Sequence, residues 1–576
     1  MAPPLLTVVC PAFNEAGTIH GSIQTLASYL DSLGTDYEIV VVSDGSTDAT
    51  RQEATRDQGP HVRVIEYERN MGKGYALRTG SRAARGEWIA WFDADLDIRP
   101  EALGRFLEVA RRDGLDIVIG SKRHPESEVD YPRKRRCYSW LYQQLIRALF
   151  QLSVRDTQVG IKLFRREALA AVLPVVLVKR YAFDLEVLAV AQRFGFRNIR
   201  EQPVELLYRF TGTSIDWRAI MNALVDTLAI FYRLRILRFY DRKRQLTERI
   251  SKYADRPAPS LVAAIVVGAG GQTSAAGLAG EVEQLRATLP GSIPVITLEK
   301  PRTEVPPDRG WLRAALESST EDAIAFIDCG MRISHGWADA ALNVLRDPTV
   351  GVVVGPTVPR LSGALQHDAG AILSESRFGV GGARVRHHVG TLQEVGDFPA
   401  SNLVVLREEL AAVVSSGIYS EDQLCAAVRA RGKRTVLCSP EVNASSPSKP
   451  LFRPYLSSLW KTGTARGRQF GKLRQPRLRH IIPVLLVLSF AAALPAVLVG
   501  GVARLIAESV LISYGLAVIG FTIVIAALHR RIRLALLTSA GAVLSHLTFG
   551  AALLVGLSGR VVRRQRPDRR GPDERA

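Results

Sequence analysis

Cysteine is scarce. Five residues, Cys10, Cys137, Cys329, Cys425 and Cys438, are spread through 576 positions with no C-x-x-C pair and no metal-like spacing. That pattern argues against a zinc site and fits a reducing compartment. A secretory signal is missing as well: "MAPPLLTVVCPAFNE" has no basic segment followed by a long apolar core. The chain ahead of any membrane segment is therefore expected to stay in the cytoplasm. Acidic residues are in deficit, 56 against 75 Lys and Arg, and the pI is near 10.0. Such a surplus suits partners that carry phosphate, whether lipid headgroups, nucleotides or nucleic acid. No nucleic-acid-binding motif accompanies it and the charge clusters beside apolar stripes, so nucleic acid is not an expected partner. The length is too great for one core and implies two or three domains.

Apolar runs long enough for a bilayer are confined to the C-terminal end. Residues 481–503, 509–528 and 534–557 each reach the roughly 20 apolar residues a hydrocarbon core requires. They predict three spans within a membrane domain over 476–576. Arg466, Arg468, Lys472, Arg474, Arg477 and Arg479 precede the first span and put that side in the cytoplasm. The loop "HRRIR" agrees with an in-out-in path, whereas the basic tail "RVVRRQRPDRR" opposes it, so the side of the C-terminus stays open.

From residue 5 the chain alternates strand-like and helix-like pieces, which argues an α/β fold with a largely parallel sheet. The strands are "LLTVVC", "YEIVVVS", "VRVIEY", "EWIAWF" and "DIVIGS". Several run into polar or glycine-rich segments: "PAFNEAGTI", "SDGSTDAT" and "ERNMGKGYALRTG". In the second, Asp44 is placed to accept from a base N–H, while Gly45 and Ser46 let the backbone approach a nucleoside. In the third, Gly72 and Gly74 allow a tight backbone and Lys73 offers charge. The fourth strand ends in "FDADLD", with Asp93, Asp95 and Asp97 at alternate positions. Ligands bind at that edge of an open α/β sheet. Carboxylates so placed repel unless a cation lies between them, and Mg²⁺ or Mn²⁺ is the usual one. A solvated acidic turn is the competing reading of D-x-D taken alone.

The series "PAFNE", "VVSDGSTD", "NMGKG", "FDADLD" and "IGSKR" resembles family-two glycosyltransferases of the GT-A, Rossmann-like fold. "VRDTQVGIKLFRREAL", "KRYAFDLEVLAVAQRFGF" and "EQPVELLYRFTGTS" resemble the polyprenyl-phosphate branch, most of all dolichyl-phosphate glucosyltransferases. The resemblance covers residues 5–240 and implies a catalytic domain over 1–245. One departure is Ser43, where the family usually has an Asp before Asp44. The resemblance implies a nucleotide-sugar site from Pro11, Phe13, Glu15, Asp44, Gly45, Lys73, Asp93 and Ala94. It implies a metal, Mg²⁺ or Mn²⁺, at Asp93 and Asp95 completed by Asp97. Lys122, Arg123, Arg133 and Arg209 are candidates for the acceptor phosphate, and Asp93, Asp95, Arg123 and Arg209 for catalysis. Asp184 would be the base for a hydroxyl acceptor; a lipid phosphate needs none, and a structural role is the stronger reading.

Two amphipathic stretches follow basic clusters or end in them. Tyr138, Leu141, Tyr142, Leu145, Leu149 and Leu152 form one stripe. Trp217, Ile220, Met221, Leu224, Leu228 and Phe231 form another. Core packing and membrane contact both explain such stripes, and membrane lipids are an expected partner.

After a linker, 246–260, the strand rhythm resumes. "RGWLRAALESSTEDAIAFIDCGMR" parallels "KGYALRTGSRAARGEWIAWFDADL" and predicts a second, degenerate GT-A-like domain over 261–475. "GAGGQTS" stands where the first loop would be, and Asp328 alone marks the metal motif. Glu421 and Asp422 resemble the family's acidic acceptor-side motif. The expected protein is a multi-pass membrane enzyme with its soluble domains in the cytoplasm. It would be an inverting hexosyltransferase moving glucose from UDP-glucose to a polyprenyl phosphate, with a downstream membrane glycosyltransferase or flippase as possible partner. Three alternatives remain: a GDP-mannose-dependent polyprenyl-phosphate mannose synthase, a two-domain transferase elongating a cell-envelope glycan, and a lipid-carrier scaffold without activity.

Overall fold

The computed structural model describes residues 4–564 apart from 57–58, 68, 128–132, 153, 179–181, 207–216, 269–274, 301–309, 381–385, 388–389, 397, 399–400, 417–420, 470–477 and 500. The chain forms two compact units, Met1–Arg256 with Thr391–Gln393, and Pro257–Gly390 with Glu394–Ala576. Helix Phe239–Ser251 runs through the first part of the expected linker.

In the first unit the strands are β1 (Leu6–Ala12), β2 (Tyr37–Asp44), β3 (Val62–Tyr67), β4 (Trp88–Trp91), β5 (Ile117–Ser121), β6 (Lys162–Arg165) and β7 (Ile199–Pro203). They form one sheet in the order β3-β2-β1-β4-β6-β5-β7. The pairs β1–β2, β1–β4, β2–β3 and β5–β7 are parallel, and β6 runs antiparallel to β4 and β5. The strands are apolar at consecutive positions because both faces are covered. Val9, Val40, Val42, Ile89, Trp91, Ile117 and Ile119 enter one core, and Val8, Cys10, Ile39, Val41, Ala90 and Val118 enter the other. Helices Lys73–Ala83 and Phe183–Phe194 close the first core; Ile19–Ser32 and Glu101–Arg112 close the second. Since β1, β2 and β4 are parallel, "PAFNE", "SDGSTD" and "FDADLD" open at one edge of the sheet.

The second unit repeats this plan. Its strands are β8 (Leu261–Gly268), β9 (Val295–Lys300), β10 (Ala323–Asp328), β11 (Arg332–Ile333), β12 (Val350–Val354), β13 (Thr357–Arg360), β14 (Gln393–Glu394), β15 (Asn402–Leu406), β16 (Thr435–Cys438) and β17 (Ala444–Pro447). The large sheet runs β14-β16-β12-β15-β10-β8-β9, and β11-β17-β13 form a small one. Read from its other end, β9-β8-β10-β15-β12-β16 matches β2-β1-β4-β6-β5-β7 strand for strand. The match includes the antiparallel strand, β15, between β10 and β12. No described strand corresponds to β3. The second α/β copy read from the sequence is therefore present as topology.

Helices Leu478–Val499, Gly501–His529 and Ile532–Arg564 follow. Of the three predicted spans, two are long and apolar enough among the described residues, Arg504–His529 and Ile532–Ser558. The first run forms one continuous helix, Leu478–Val499, with Pro483 and Pro495 inside it; its apolar stretch among the described residues is Pro483–Ala493, and the side chains that flank that stretch lie outside the described residues. Ile512, Leu516, Ile519 and Ile523 are each more than half exposed on the second, an apolar surface suited to lipid and not to water. The third is a packing post. Helix Arg453–Gln469 lies along it, with Gly463 against Ala552 and Gly467 against Leu553. Helix Leu365–Glu375 buries Ala369, Ile372 and Leu373 with Leu451, Ile525, Leu534, Ala535 and Ala542. Buried Asp368 accepts from the amides of Ser362 and Gly363 at 2.9 and 3.2 Å, and pairs with Arg531 at 3.3 Å between the last two helices.

An arginine near the centre of a span opposes insertion by about 2.5–3.5 kcal/mol. Combined Leu516→Arg and Ile519→Arg is expected to move the protein out of the carbonate-resistant membrane pellet, where the unaltered chain should remain. Fractionation followed by immunoblotting checks this.

Candidate active site

Three loops at the sheet edge are stitched into one rim. The Asn14 and Ala16 amides donate to Ser46 Oγ and Asp48 Oδ2, the Glu15 amide to Thr50 Oγ1, and the Thr47 amide to Asn14 Oδ1 at 2.9 Å. Gly45 has φ +64°, and a Cβ there would overlap the backbone of Arg69 and Asn70. Only glycine permits both the conformation and the approach. Asp44 is buried, and its two carboxylate oxygens accept from the amides of Met71 at 2.7 Å and Gly72 at 2.9 Å. The sequence suggested a nucleobase partner; in the structure Asp44 shapes the third loop through these two bonds. Phe13 stands half-exposed on the rim and Pro11 lies partly buried in β1. The Glu15 carboxylate accepts from the Thr18 hydroxyl at 2.8 Å.

Beside the rim, Phe92, Asp93, Asp95, Asp97, Ile98, Lys122, Gly160, Ile161 and Leu206 line one pocket. Leu96, at φ +51°, turns the chain so that Asp93, Asp95 and Asp97 all reach it. A non-glycine residue in that conformation is uncommon and concentrates at functional turns. Ala94 is buried behind the turn. Lys73 Nζ lies 2.5 Å from Asp93 Oδ1. Burial works against its charge, but Asp93, Asp184 and Asp95 outweigh it and hold the ammonium above its ordinary pKa. Burial and the neighbouring Asp95 and Asp93 charges push the Asp97 carboxyl above the usual carboxylate range, with Lys122 opposing. The thiol of Cys10, at the end of β1, is pushed up to about 12 by burial and by Asp93, so it stays protonated.

Two residues that the sequence reading passed over support this pocket from below. Gly160 faces Asp93, and a Cβ there would overlap the carboxylate. Lys162 stands opposite Trp91 in the β4–β6 register and is sealed from solvent; its ammonium donates to Val159 O at 2.5 Å and to Asp184 Oδ1 at 2.7 Å. Breaking such a buried pair from one side costs about 3–5 kcal/mol. Asp184 is thus committed to a structural ion pair. The signal for Lys162 was a lone charge inside the apolar run "VGIKLF".

Of the remaining candidates, Lys122 lines the pocket and Arg123 follows it on the same loop, half-buried. Arg133 opens helix Arg133–Phe150, but its side chain lies outside the described residues, as does all of Arg209. The described chain leads toward Arg209 as far as Leu206, bridged to Ile98 beside the pocket. Asp93, Asp95 and Asp97 line one pocket, while among the described residues no group of three His, Cys, Asp or Glu stands close enough together to hold a metal unaided. Like-charge repulsion is relieved by Lys73 at Asp93 and by spreading Asp95 and Asp97 along the turn. The donor set still fits a hard cation, since Mg²⁺ is commonly held by one or two carboxylates together with substrate phosphates. In the second unit the equivalent register pairs Phe326 with Leu403 where Trp91 pairs with Lys162. Ser401 therefore matches Gly160, and Leu403 stands where the first unit has its buried lysine. Glu421 and Asp422 begin helix Glu421–Ala430, with their side chains outside the described residues.

Both amphipathic stretches are helical, and each shows a buried and a bare side. Ile146, Phe150 and Leu152 are core, as are Ile230 and Leu234. Leu141 is exposed while Tyr142, Leu145 and Leu149 are half-buried; Tyr138, Trp217 and Ile220 have side chains outside the described residues. The bare side of the second runs through Met221, Val225, Leu228, Tyr232 and Ile236, beside exposed Arg235 and Arg238.

A methyl group at residue 160 must displace the Asp93 carboxylate, and misplacement of a reacting group by about 1 Å can cost 10²-fold. Gly160→Ala is expected to weaken Mn²⁺ binding in the presence of a nucleoside diphosphate, read by electron paramagnetic resonance, at unchanged circular dichroism. A cation also competes with the proton on Asp97. Because that carboxyl is raised, cation affinity should begin to fall at a higher pH than an ordinary carboxylate would dictate, and Asp97→Asn should remove that part of the pH dependence.

The model of the family described as glycosyl transferase family 2 matches residues 7–173. Glycosyltransferase AglD of Haloferax volcanii is 36% identical over 204 residues, 35% of this chain and 32% of the relative. The dolichyl-phosphate beta-glucosyltransferase of Drosophila melanogaster is 34% identical over 224 residues, 36% of this chain and 67% of the relative. That of Homo sapiens is 34% identical over 211 residues, 33% and 63%. This chain thus spans 32% of AglD and 63% of the Trichomonas vaginalis and Dictyostelium discoideum dolichyl-phosphate beta-glucosyltransferases. Among solved structures, glucosyl-3-phosphoglycerate synthase from Mycobacterium tuberculosis, crystallised with Mn²⁺, uridine diphosphate and phosphoglyceric acid, is 22% identical, with a TM-score of 0.32 over 40% of this chain and 78% of that one. On the family match and the Drosophila relative together, this chain belongs to the family-two glycosyltransferases.

Proposed function

We propose that the first unit transfers glucose from UDP-glucose to a polyprenyl phosphate at the cytoplasmic face of a membrane, with inversion at the anomeric carbon. The carrying observation is one pocket that gathers Asp93, Asp95, Asp97 and Lys122 beside Lys73. It occurs in a chain similar to dolichyl-phosphate beta-glucosyltransferases. Two anions must meet in this reaction, the donor diphosphate and the acceptor phosphate, so positive charge is the main requirement.

A lipid monophosphate has its second ionisation near ~6 and is largely dianionic at pH 7. One of its oxygens attacks the anomeric carbon; the bond from that carbon to the diphosphate oxygen breaks, and the nucleoside diphosphate leaves with the electron pair. No proton has to be removed, which agrees with Asp184 being spent on Lys162. Asp93 and Asp95 would hold Mg²⁺ or Mn²⁺, which supplies charge to the leaving diphosphate when bound. Lys73 and Lys122 add fixed charge at the pocket, and Arg123, Arg133 and Arg209 are proposed to meet the acceptor phosphate. Phe13 on the rim suits the face of a nucleobase. The apolar stripe from Met221 to Ile236, bordered by Arg235 and Arg238, suits an anionic lipid surface. The second unit, with Leu403 and Ser401 at the positions of Lys162 and Gly160, is proposed to be non-catalytic and to dock a membrane partner that takes the product lipid.

Purified protein incubated with a panel of sugar nucleotides and a short polyprenyl phosphate, followed by mass analysis of the lipid, tests the donor and acceptor together. A hexosyl-phosphoryl lipid formed from UDP-glucose is expected; formation only from GDP-mannose would replace the proposed donor. Asp95→Asn should lower the rate on the order of 10²-fold or more, and chelation should stop transfer. Asp328→Ala with Asp422→Ala should leave transfer within a few-fold of normal. Loss of a second sugar addition in that double variant would instead assign catalysis to the second unit.

A further inference from the structure

Resting on the lipid-phosphate reading above, we infer that Glu186 is a positioning residue that links the membrane-facing helix to the charged floor of the pocket. Helix Phe183–Phe194 carries two carboxylates in its first turn. Asp184 turns to Lys162 beneath the pocket. Glu186 turns away, and it is wholly buried. Its Oε2 accepts from the amides of Leu177 at 2.8 Å and Val178 at 2.7 Å. Its Oε1 accepts from Arg233 Nη2 at 3.1 Å and from the Tyr240 hydroxyl, and Arg233 Nε donates to that hydroxyl oxygen at 3.0 Å. Four donors thus converge on one carboxylate.

The consequence lies in what those donors belong to. Leu177 and Val178 lead into the segment that ends at Asp184. Arg233 belongs to the π-helical turn Tyr232–Ile236 that ends helix Trp217–Phe231. A π-turn adds a residue to the helical repeat and often marks a functional site. Here it lets Arg233 and Leu234 face inward while Tyr232 and Ile236 extend the bare apolar side begun by Met221, Val225 and Leu228. Any shift of this helix on a lipid surface acts on Arg233, and the bonds of Glu186 pass it to residues 177–178 and to the start of the helix that holds Asp184. A carboxylate without solvent cannot release one donor and keep its charge cheaply, so the linkage is stiff.

The test uses the full chain with phosphatidylglycerol vesicles. Glu186→Gln keeps the volume and removes the charge; it is expected to raise KM for a short polyprenyl phosphate about tenfold, within the usual range of coupling between sites, with UDP-glucose affinity changed less than about twofold. Arg233→Lys, which retains the charge, should fall between. A purely structural role would weaken both substrates together. Independently of turnover, hydrogen exchange at the Leu177 and Val178 amides should slow when vesicles are added to the unaltered protein. In Glu186→Gln that response should disappear although vesicles still bind. Vesicle binding without a change at those amides, or equal losses for donor and lipid, would overturn the inference and leave the transfer reading standing. An amide response in a protein that makes no lipid-linked hexose would instead remove the transfer reading and keep the linkage.

Discussion

An ammonium group inside a β-sheet is tolerated only if a carboxylate is held against it, and Lys162 and Asp184 meet that condition directly beneath the pocket. Much of the sheet edge follows from this one requirement. Asp184 must sit at the start of helix Phe183–Phe194, which fixes how that helix lies on the Trp91–Phe183 aromatic contact. Lys73, at the start of its own helix, feels both Asp184 and Asp93. The alternating charges Lys162, Asp184, Lys73 and Asp93 form a graded path from the dry interior to the open pocket. Each charge is stabilised by its neighbours, so the outermost carboxylate is presented in a fixed place without a metal having to organise it first.

The two α/β units separate what a sheet needs from what a site needs. Six strands keep their order and direction in both. The apolar pairing that holds them requires only hydrophobic residues on two covered faces. The differences fall at the sheet edge and its loops, among them the antiparallel strand and its approach, where Lys162 becomes Leu403 and Gly160 becomes Ser401. Exchanging a buried ion pair for a buried leucine is often neutral or favourable for stability. A copy relieved of the chemistry can therefore lose the charges and keep the fold.

The strands and the order of the loops were legible in the sequence because burial on both faces writes continuous apolar runs, and because polar segments recur at their ends. "FDADLD" announced the pocket for the same reason. What sequence reasoning missed depends on pairings between distant segments. That Lys162 stands opposite Trp91, two residues before Asp93, follows from the β4–β6 register, and that Gly160 makes room for the carboxylate follows from the approach of two loops. Asp44 illustrates the limit: its loop position was evident, but its engagement by Met71 and Gly72 was not. The amphipathic stripes were read with the correct period, yet which side met the core depended on neighbours such as Thr227, whose hydroxyl meets Tyr142 at 2.8 Å. Of the three apolar runs counted by length, all are helical and two are long and apolar enough for a bilayer among the described residues.

Residues 369–373, Leu451 and residues 525–542 share one hydrophobic cluster in the second unit. This makes the order of synthesis a structural matter. When a ribosome has produced the last α/β strand, the buried side of helix Leu365–Glu375 still lacks the surface that covers it. That surface arrives with a segment about 90 residues later, several seconds at roughly 5–20 residues per second. During that interval an apolar face stays open. The last two apolar helices are thus the closing wall of this unit's core, and the unit cannot finish folding before they are made.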